Sequence, residues 1–170
     1  YHVAVGAAVN SSYDDYVRVY TWSGGTGTVG SWDQVGGEFE NLYTGDDDTG
    51  HSVSLNHDGT VIAIGVSKAN TGGTQSGMTR VYKRNSEDTN AIPVGWTLIG
   101  HFPGNSSYAR AGTSVSLSDN RHNGGTMRLA IGAPAWTYNA ASQGHVRVYE
   151  YAPSVNLEFW NKLGDDILGE

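Results

Sequence analysis

The sequence predicts an all-β protein made of small antiparallel sheets in tandem, and three observations carry that prediction. Glycine supplies 24 of the 170 residues, well above the usual ~7%, while Tyr (10) and Trp (5) are abundant and Met (2) is scarce. Apolar residues fall in short alternating runs of Val, Ile, Leu, Tyr and Trp separated by Gly, Ser, Thr, Asn and Asp, as in "VIAIGV" and "HVRVYEY". That is the chemistry of strands and turns, and no long stretch places apolar residues at the i, i+3, i+4, i+7 spacing of a helix. The third observation is that the runs come back in the same order.

Each run can be taken in turn. "SWDQVG", "GWTLIG" and "FWNKLG" share W-x-x-(aliphatic)-G, with Trp32, Trp96 and Trp160 separated by 64 and 64 residues. Upstream of them stands Arg-Val-Tyr at 18–20, 80–82 and 147–149. Further upstream an alternating run ends at Gly6, Gly65 and Gly132, and before that "G-x-S-V-S-L" opens at Gly50 and Gly112. Its first copy would precede Tyr1. The unit is therefore about 64 residues with four strands, a (SVSL), b (AIG), c (RVY) and d (W-x-x-aliphatic-G). The chain reads b-c-d, then a-b-c-d twice: a partial unit over 1–44 lacking its first strand, a second over 45–104 and a third over 105–170. "NHDGT", "NTGGTQSG" and "SGGTGTVGS" provide turns between the strands.

A four-stranded antiparallel unit in tandem is the sequence signature of β-propeller blades. One twisted sheet cannot hide both faces, so neighbouring sheets stack, and both faces then need apolar residues, as in "VIAIGV" and "LAIGAP". Gly6, Gly65 and Gly132 are expected where a backbone must turn or approach another closely. A β-sandwich would explain the strands but not the equal spacing of the tryptophans.

The combination "GTSVSLSD…LAIGAP…GHVRVYEY" resembles the FG-GAP repeat of the integrin α-subunit propeller and of many secreted or cell-surface proteins. Gly-Ala-Pro is intact at Gly132-Ala133-Pro134 and altered at Gly6-Ala7-Ala8 and Gly65-Val66-Ser67, and Thr49 and Ala111 stand where the family has the Phe of Phe-Gly. The resemblance implies a ligand-binding or adhesive role and, in many members, Ca²⁺ in the a–b hairpin through D-x-(D/N)-x-D-G-x-x-D. Such a cation wants six to eight oxygen ligands. Here Asp119 and Asn123 keep the first and fifth positions, but Arg121 takes the third and Met127 the ninth, and the middle hairpin is only Asn56-His57-Asp58-Gly59. Both hairpins are therefore expected to lack the metal, and no cofactor is expected. The remaining oxygen donors that could still meet Ca²⁺ are Asp119 and Asn123, with Asp46 and Asp48 in the "GDDDTG" run, itself expected to be a solvated acidic loop.

Other candidate chemistry reads as structural. "GTGTVG" at 25–30 fits G-x-G-x-x-G but leads straight into strand d, not into a helix. Six histidines have no zinc spacing, and His145 on strand c is expected at the sheet surface. Ser52 and Ser114 recur with the repeat, which argues for packing and not for a nucleophile, whose elbow needs a strand-to-helix turn. No catalytic residue is expected, and the protein is read as a non-enzyme. Asn10-Ser11-Ser12 and Asn105-Ser106-Ser107 are N-glycosylation acceptors. They lie in b–c and d–a loops, which emerge on one rim of an up-and-down sheet. Trp136 and Tyr138 share that rim and could stack on a sugar or anchor a protein ligand.

Charge and length bound the partners. The net charge is −7 with ten scattered Lys and Arg, which excludes a clustered cationic footprint for nucleic acid. No apolar run reaches the ~18 residues of a membrane span. Cysteine is absent, so no disulfide or thiolate metal site exists. Opening on Tyr1, the chain is expected to be an excerpt or a processed product. An unfinished array exposes apolar faces and open edges, so self-association is expected. The leading expectation is an extracellular or cell-surface structural or adhesion module, glycosylated and able to assemble into oligomers or filaments. The alternatives are a carbohydrate- or ligand-binding rim, and the non-catalytic propeller part of a larger secreted enzyme.

Overall fold

The computed structural model describes residues 1–8, 15–25, 27, 29–43, 47–87, 90, 93–119, 126–138, 141–152 and 159–170. Among these there are strands and turns and no helix. The strands are β1 (His2–Ala7), β2 (Tyr16–Trp22), β3 (Trp32–Gln34), β4 (Phe39–Glu40), β5 (Thr49–Leu55), β6 (Val61–Val66), β7 (Met78–Arg84), β8 (Trp96–Pro103), β9 (Ser114–Ser118), β10 (Arg128–Ala133), β11 (Thr137–Tyr138), β12 (Ala141–Ser142), β13 (His145–Tyr151), β14 (Trp160–Lys162) and β15 (Ile167–Leu168). They form three antiparallel sheets, β1–β4, β5–β8, and β9 with β10, β13, β14 and β15; β11 and β12 make a separate small hairpin. None of the sheets closes on itself.

The repeat read from the sequence is repeated in register. Strand b pairs strand c with Val3 opposite Tyr20, Ile62 opposite Tyr82 and Leu129 opposite Tyr149. Strand c pairs strand d with Trp22 opposite Trp32, Arg84 opposite Trp96 and Tyr151 opposite Trp160. The three tryptophans thus hold one and the same position. Among the described residues the first sheet starts at strand b, with no strand paired to its edge as β5 and β9 pair in the other two.

Strand d departs from the single run expected. In the middle sheet β8 is continuous with a bulge between Val81 and Tyr82. In the first and third sheets it is cut in two, β3 then β4 along β2, and β14 then β15 along β13. The cut falls where Gly36 and Gly164 adopt φ of 72° and 67°, left-handed values that turn the chain out of the ladder.

The sheets stack in chain order around two cores. Val17, Val19 and Phe39 of the first sheet meet Ile62, Ile64, Tyr82 and Trp96 of the second. The opposite face of the second, with Val61, Ala63, Val81 and Ile99, meets Leu129, Ile131 and Tyr151 of the third. Every residue of β6 is buried, so the run "VIAIGV" is apolar on both faces because both faces are covered. Burying one such side chain is worth about 1.5–3 kcal/mol, and the middle sheet collects that gain twice.

Candidate functional site: the sheet junctions and the loop rim

The recurring residues are spent on joining one sheet to the next. Trp96 Nε1 donates to the Val35 carbonyl at 3.2 Å, and Trp160 Nε1 donates to the Ile99 carbonyl at 3.0 Å. Both acceptors stand three residues after the preceding sheet's own tryptophan. The glycine that follows each acceptor makes the approach possible. A Cβ at Gly36 would lie 2.6 Å from Trp96 Nε1, and one at Gly100 would lie 2.8 Å from Trp160 Nε1. W-x-x-aliphatic-G is therefore a plug and a socket: the tryptophan reaches backward, and the aliphatic-Gly pair receives the tryptophan that comes next.

Strand a makes the second seam. Ser52 Oγ donates to the Gly112 carbonyl at 2.8 Å, and Ser54 Oγ accepts from Leu117 N–H at 2.9 Å. Alternate residues of S-V-S thus stitch β5 to the next strand a, at Gly112 before β9 and at Leu117 near its end, and Ser52 has the packing role expected of it. A Cβ at Gly6 or Gly65 would run into the carbonyl of Gly50 or Gly112, the expected close approach of backbones, whereas one at Gly132 would meet the Ser114 side chain of its own sheet.

An aromatic trio fills each junction. Phe39 lies 4.9 Å from Tyr82 and 5.4 Å from Trp96 between ring centroids, and Phe102 lies 4.5 Å from Tyr149 and 5.7 Å from Trp160. Phe39 and Phe102 occupy the same place, opposite Val17 and Thr79 on strand c. Sequence reasoning missed this pair, because glycine insertions in strand d shift the Phe by one residue relative to the tryptophan. The signal that could have found it is an aromatic six or seven residues after the Trp.

A charge pair also recurs. Arg18 is bound by Glu38, and Arg147 makes a two-pronged pair with Asp166, its Nε 3.0 Å and its Nη2 2.8 Å from the carboxylate oxygens. Lys162 joins the same carboxylate. The Arg147 hydrogen bond holds the Asp166 carboxyl well below the usual carboxylate range, against the burial that would raise it. In the middle sheet the arginine is Arg80 and its cross-strand neighbour is His101. Arg80 Nε is buried with no hydrogen-bond partner. Burial, then the Arg80 charge, hold the His101 imidazole below its ordinary value. A cleft of about 260 Å³ lies beside Arg80, lined by Glu38, Glu40 and Tyr82.

The loops of one rim are bonded together. The connection after β8 runs along the b–c loop of the same sheet, with Gly104 N–H on the Gly77 carbonyl at 2.8 Å and Tyr108 N–H on the Thr74 carbonyl at 2.7 Å. Asn105 is exposed on that connection. Asn10 lies outside the described residues. Trp136 is half-buried, stands edge-on to His145 at 4.9 Å and packs on the second core. Tyr138 is on β11, and its side chain is outside what the structure describes.

The acidic residues depart from expectation. Asp47 and Asp48 are buried, not solvated. Asp47 Oδ1 accepts from Thr49 N–H at 2.9 Å and Thr49 Oγ1 at 2.7 Å. Asp48 meets Lys68 Nζ at 2.9 Å and Ser67 Oγ at 2.8 Å. Burial works to raise the Asp48 carboxyl, but Lys68 and Ser67 outweigh it and hold it below its ordinary value. Asp48 and Arg110, each two residues before the glycine of strand a, share a left-handed turn with φ of 59° and 55°. The run pins the loop because its carboxylates cap backbone N–H groups and pair with a lysine. Asp119 accepts from Asn56 Nδ2 of the middle sheet at 3.0 Å, a further bond across the junction. Asp46 and Asn123 lie outside the described residues, and among the described residues no three His, Cys, Asp or Glu side chains are grouped to hold a metal. His145 is also buried, not at the sheet surface, because Trp136 folds over it. Burial, then Arg147, lower its pKa.

These observations define an all-β protein of tandem antiparallel sheets whose repeated residues form the sheet-to-sheet joints. No family model matches the chain, and no curated protein matches it in sequence. No helix among the described residues is long and apolar enough to cross a membrane.

Proposed function

We propose that this chain is a non-enzymatic scaffold, a structural or adhesion module of the extracellular space whose stacked sheets are blades of an FG-GAP-like β-propeller. The observation that carries this reading is the identical Trp-to-carbonyl joint at both junctions, Trp96 to Val35 and Trp160 to Ile99. A chain that writes its most distinctive residues three times, and uses them to couple sheets, invests its sequence in a rigid stack. The exposed Asn105 on the bonded rim supports glycosylation, and with it a secreted or cell-surface setting. Trp136 serves the interior, which favours this reading over the alternative of a sugar-binding rim.

The test is on native material. Mass spectrometry is expected to find glycan on Asn105 and Asn10, and electron micrographs to show extracellular particles or fibres. Unmodified asparagines on a protein recovered from inside the cell would overturn the reading.

A further inference from the structure

The strand-c arginines hold one register position, and the middle one lacks the carboxylate its sisters have. Strand c pairs strand d through Val17 with Phe39, Thr79 with Phe102 and Val146 with Ile167. One step along, strand d sets Glu38, His101 and Asp166 beside Arg18, Arg80 and Arg147. Glu38 and Asp166 bind their arginines. His101 offers no carboxylate, and Arg80 Nε is buried with no hydrogen-bond partner. Its Nη1 reaches the Tyr82 hydroxyl at 3.5 Å, a long contact. A buried guanidinium donor without an acceptor is costly. This one borders the cleft of about 260 Å³ at the first junction, between β4 with the residues after it and β7.

The same cleft carries the opposite charge. Glu38 is taken by Arg18. Glu40, also in the wall, is exposed and forms no ion pair among the described residues. Leu42, Tyr82 and Pro93 are buried and give the cleft an apolar side. We propose that the cleft binds a small zwitterion of the α-amino acid class. Its carboxylate takes, on Arg80, the place that Glu38 and Asp166 fill in the sister sheets. Its ammonium group lies at Glu40, and an aliphatic side chain packs on Leu42 and Pro93. A plain anion would meet the unpaired Glu40 charge, and a plain cation would leave Arg80 Nε unmatched; a molecule with both charges satisfies both. The volume falls below the ~300–1,000 Å³ of clefts for drug-sized ligands, which suits a single amino acid. Such a site neither needs the scaffold role nor excludes it.

The test is an NMR titration of ¹⁵N-labelled residues 1–170 near neutral pH, following the Arg80 Nε–H signal and the backbone amides. The probes are L-leucine, 4-methylpentanoate (which lacks the ammonium group) and leucinamide (which lacks the carboxylate). Leucine is expected to bind with a Kd at or below about 1 mM. Each of the other two is expected to bind at least about tenfold more weakly, the weight of one charge-assisted hydrogen bond. His101→Glu gives Arg80 the protein's own carboxylate and is expected to remove leucine binding without loss of stability. Glu40→Gln is expected to weaken leucine at least about tenfold and to leave 4-methylpentanoate no weaker. Both positions are exposed, and circular dichroism checks that both variants fold. No shift with leucine at millimolar concentration, binding that survives His101→Glu, or equal affinity for leucine and 4-methylpentanoate overturns the proposal.

Discussion

The indole of Trp96 donates to the backbone carbonyl of Val35, 61 residues earlier, at 3.2 Å. Both residues are almost wholly buried, at 1% and 4% exposure. A buried carbonyl that loses its donor is costly, so this bond predicts unequal effects at equivalent positions. Trp96→Phe should destabilise the fold by about 1–3 kcal/mol, while Trp32→Phe, at the half-exposed first copy, should stay within about 0.5 kcal/mol. Urea unfolding midpoints of the two variants check this, and equal losses would refute the plug-and-socket account.

The socket makes a second comparison possible. Gly36 and Gly164 share a left-handed backbone, φ 72° and 67°, so Gly→Ala carries a similar backbone penalty of about 1–2 kcal/mol at each. Only Gly36 faces a tryptophan. Gly36→Ala should therefore cost about 1–3 kcal/mol more than Gly164→Ala, the range for overpacking a filled site. Thermal or urea unfolding of both variants measures the difference.

The middle sheet invites a repair. Its Arg80 stands where Arg18 and Arg147 have Glu38 and Asp166, but His101 takes the carboxylate's place and Arg80 Nε has no partner. His101→Glu should stabilise the protein by about 0.5–1 kcal/mol at neutral pH. The gain should fade as the new carboxylate is protonated below about pH 4. Urea unfolding of the variant at both pH values decides whether the pair forms.

Acid should weaken the fold in two stages. His2, His101 and His145 each have a pKa lowered below 6.5 in the folded protein, chiefly by burial. As pH falls below 6.5 the unfolded chain takes up these protons first, so stability drops. Asp48 and Asp166 are held below their ordinary value; the stability they provide is complete above the unfolded value near 3.9 and is lost as pH falls further. His145, beside Arg147, Lys162 and Asp166, contributes to the first stage. His145→Gln should flatten the fall in melting temperature between pH 7 and 5 and leave the fall below pH 4 intact. A melting curve series across pH 3–8 tests both parts.

Much of the fold was legible because the repeat writes it three times. The strand order and the equivalence of Trp32, Trp96 and Trp160 both follow from spacing and alternation. Strand d was harder to read. Gly36 and Gly164 look like ordinary turn residues in one dimension, yet strand d is cut in two where they stand, and Phe39 comes seven residues after Trp32 while Phe102 on the uncut β8 comes six after Trp96. The aspartate run was misread for a related reason. Asp47 and Asp48 are buried by partners, Tyr43 and Thr49 for one and Ser67 and Lys68 for the other. Charge alone says only that such residues prefer water.

The sequence by itself determined an all-β chain of three related units, because strand chemistry and turn chemistry are local and recur with a fixed period. The tertiary structure alone decided what the recurring letters are for. A tryptophan, a serine or a glycine acquires its role from an atom about 60 residues away, as Trp96 does from Val35 and Ser52 from Gly112. Which copies are buried depends on whether a neighbouring sheet is present to cover them, and that is a property of the stack and not of any single repeat.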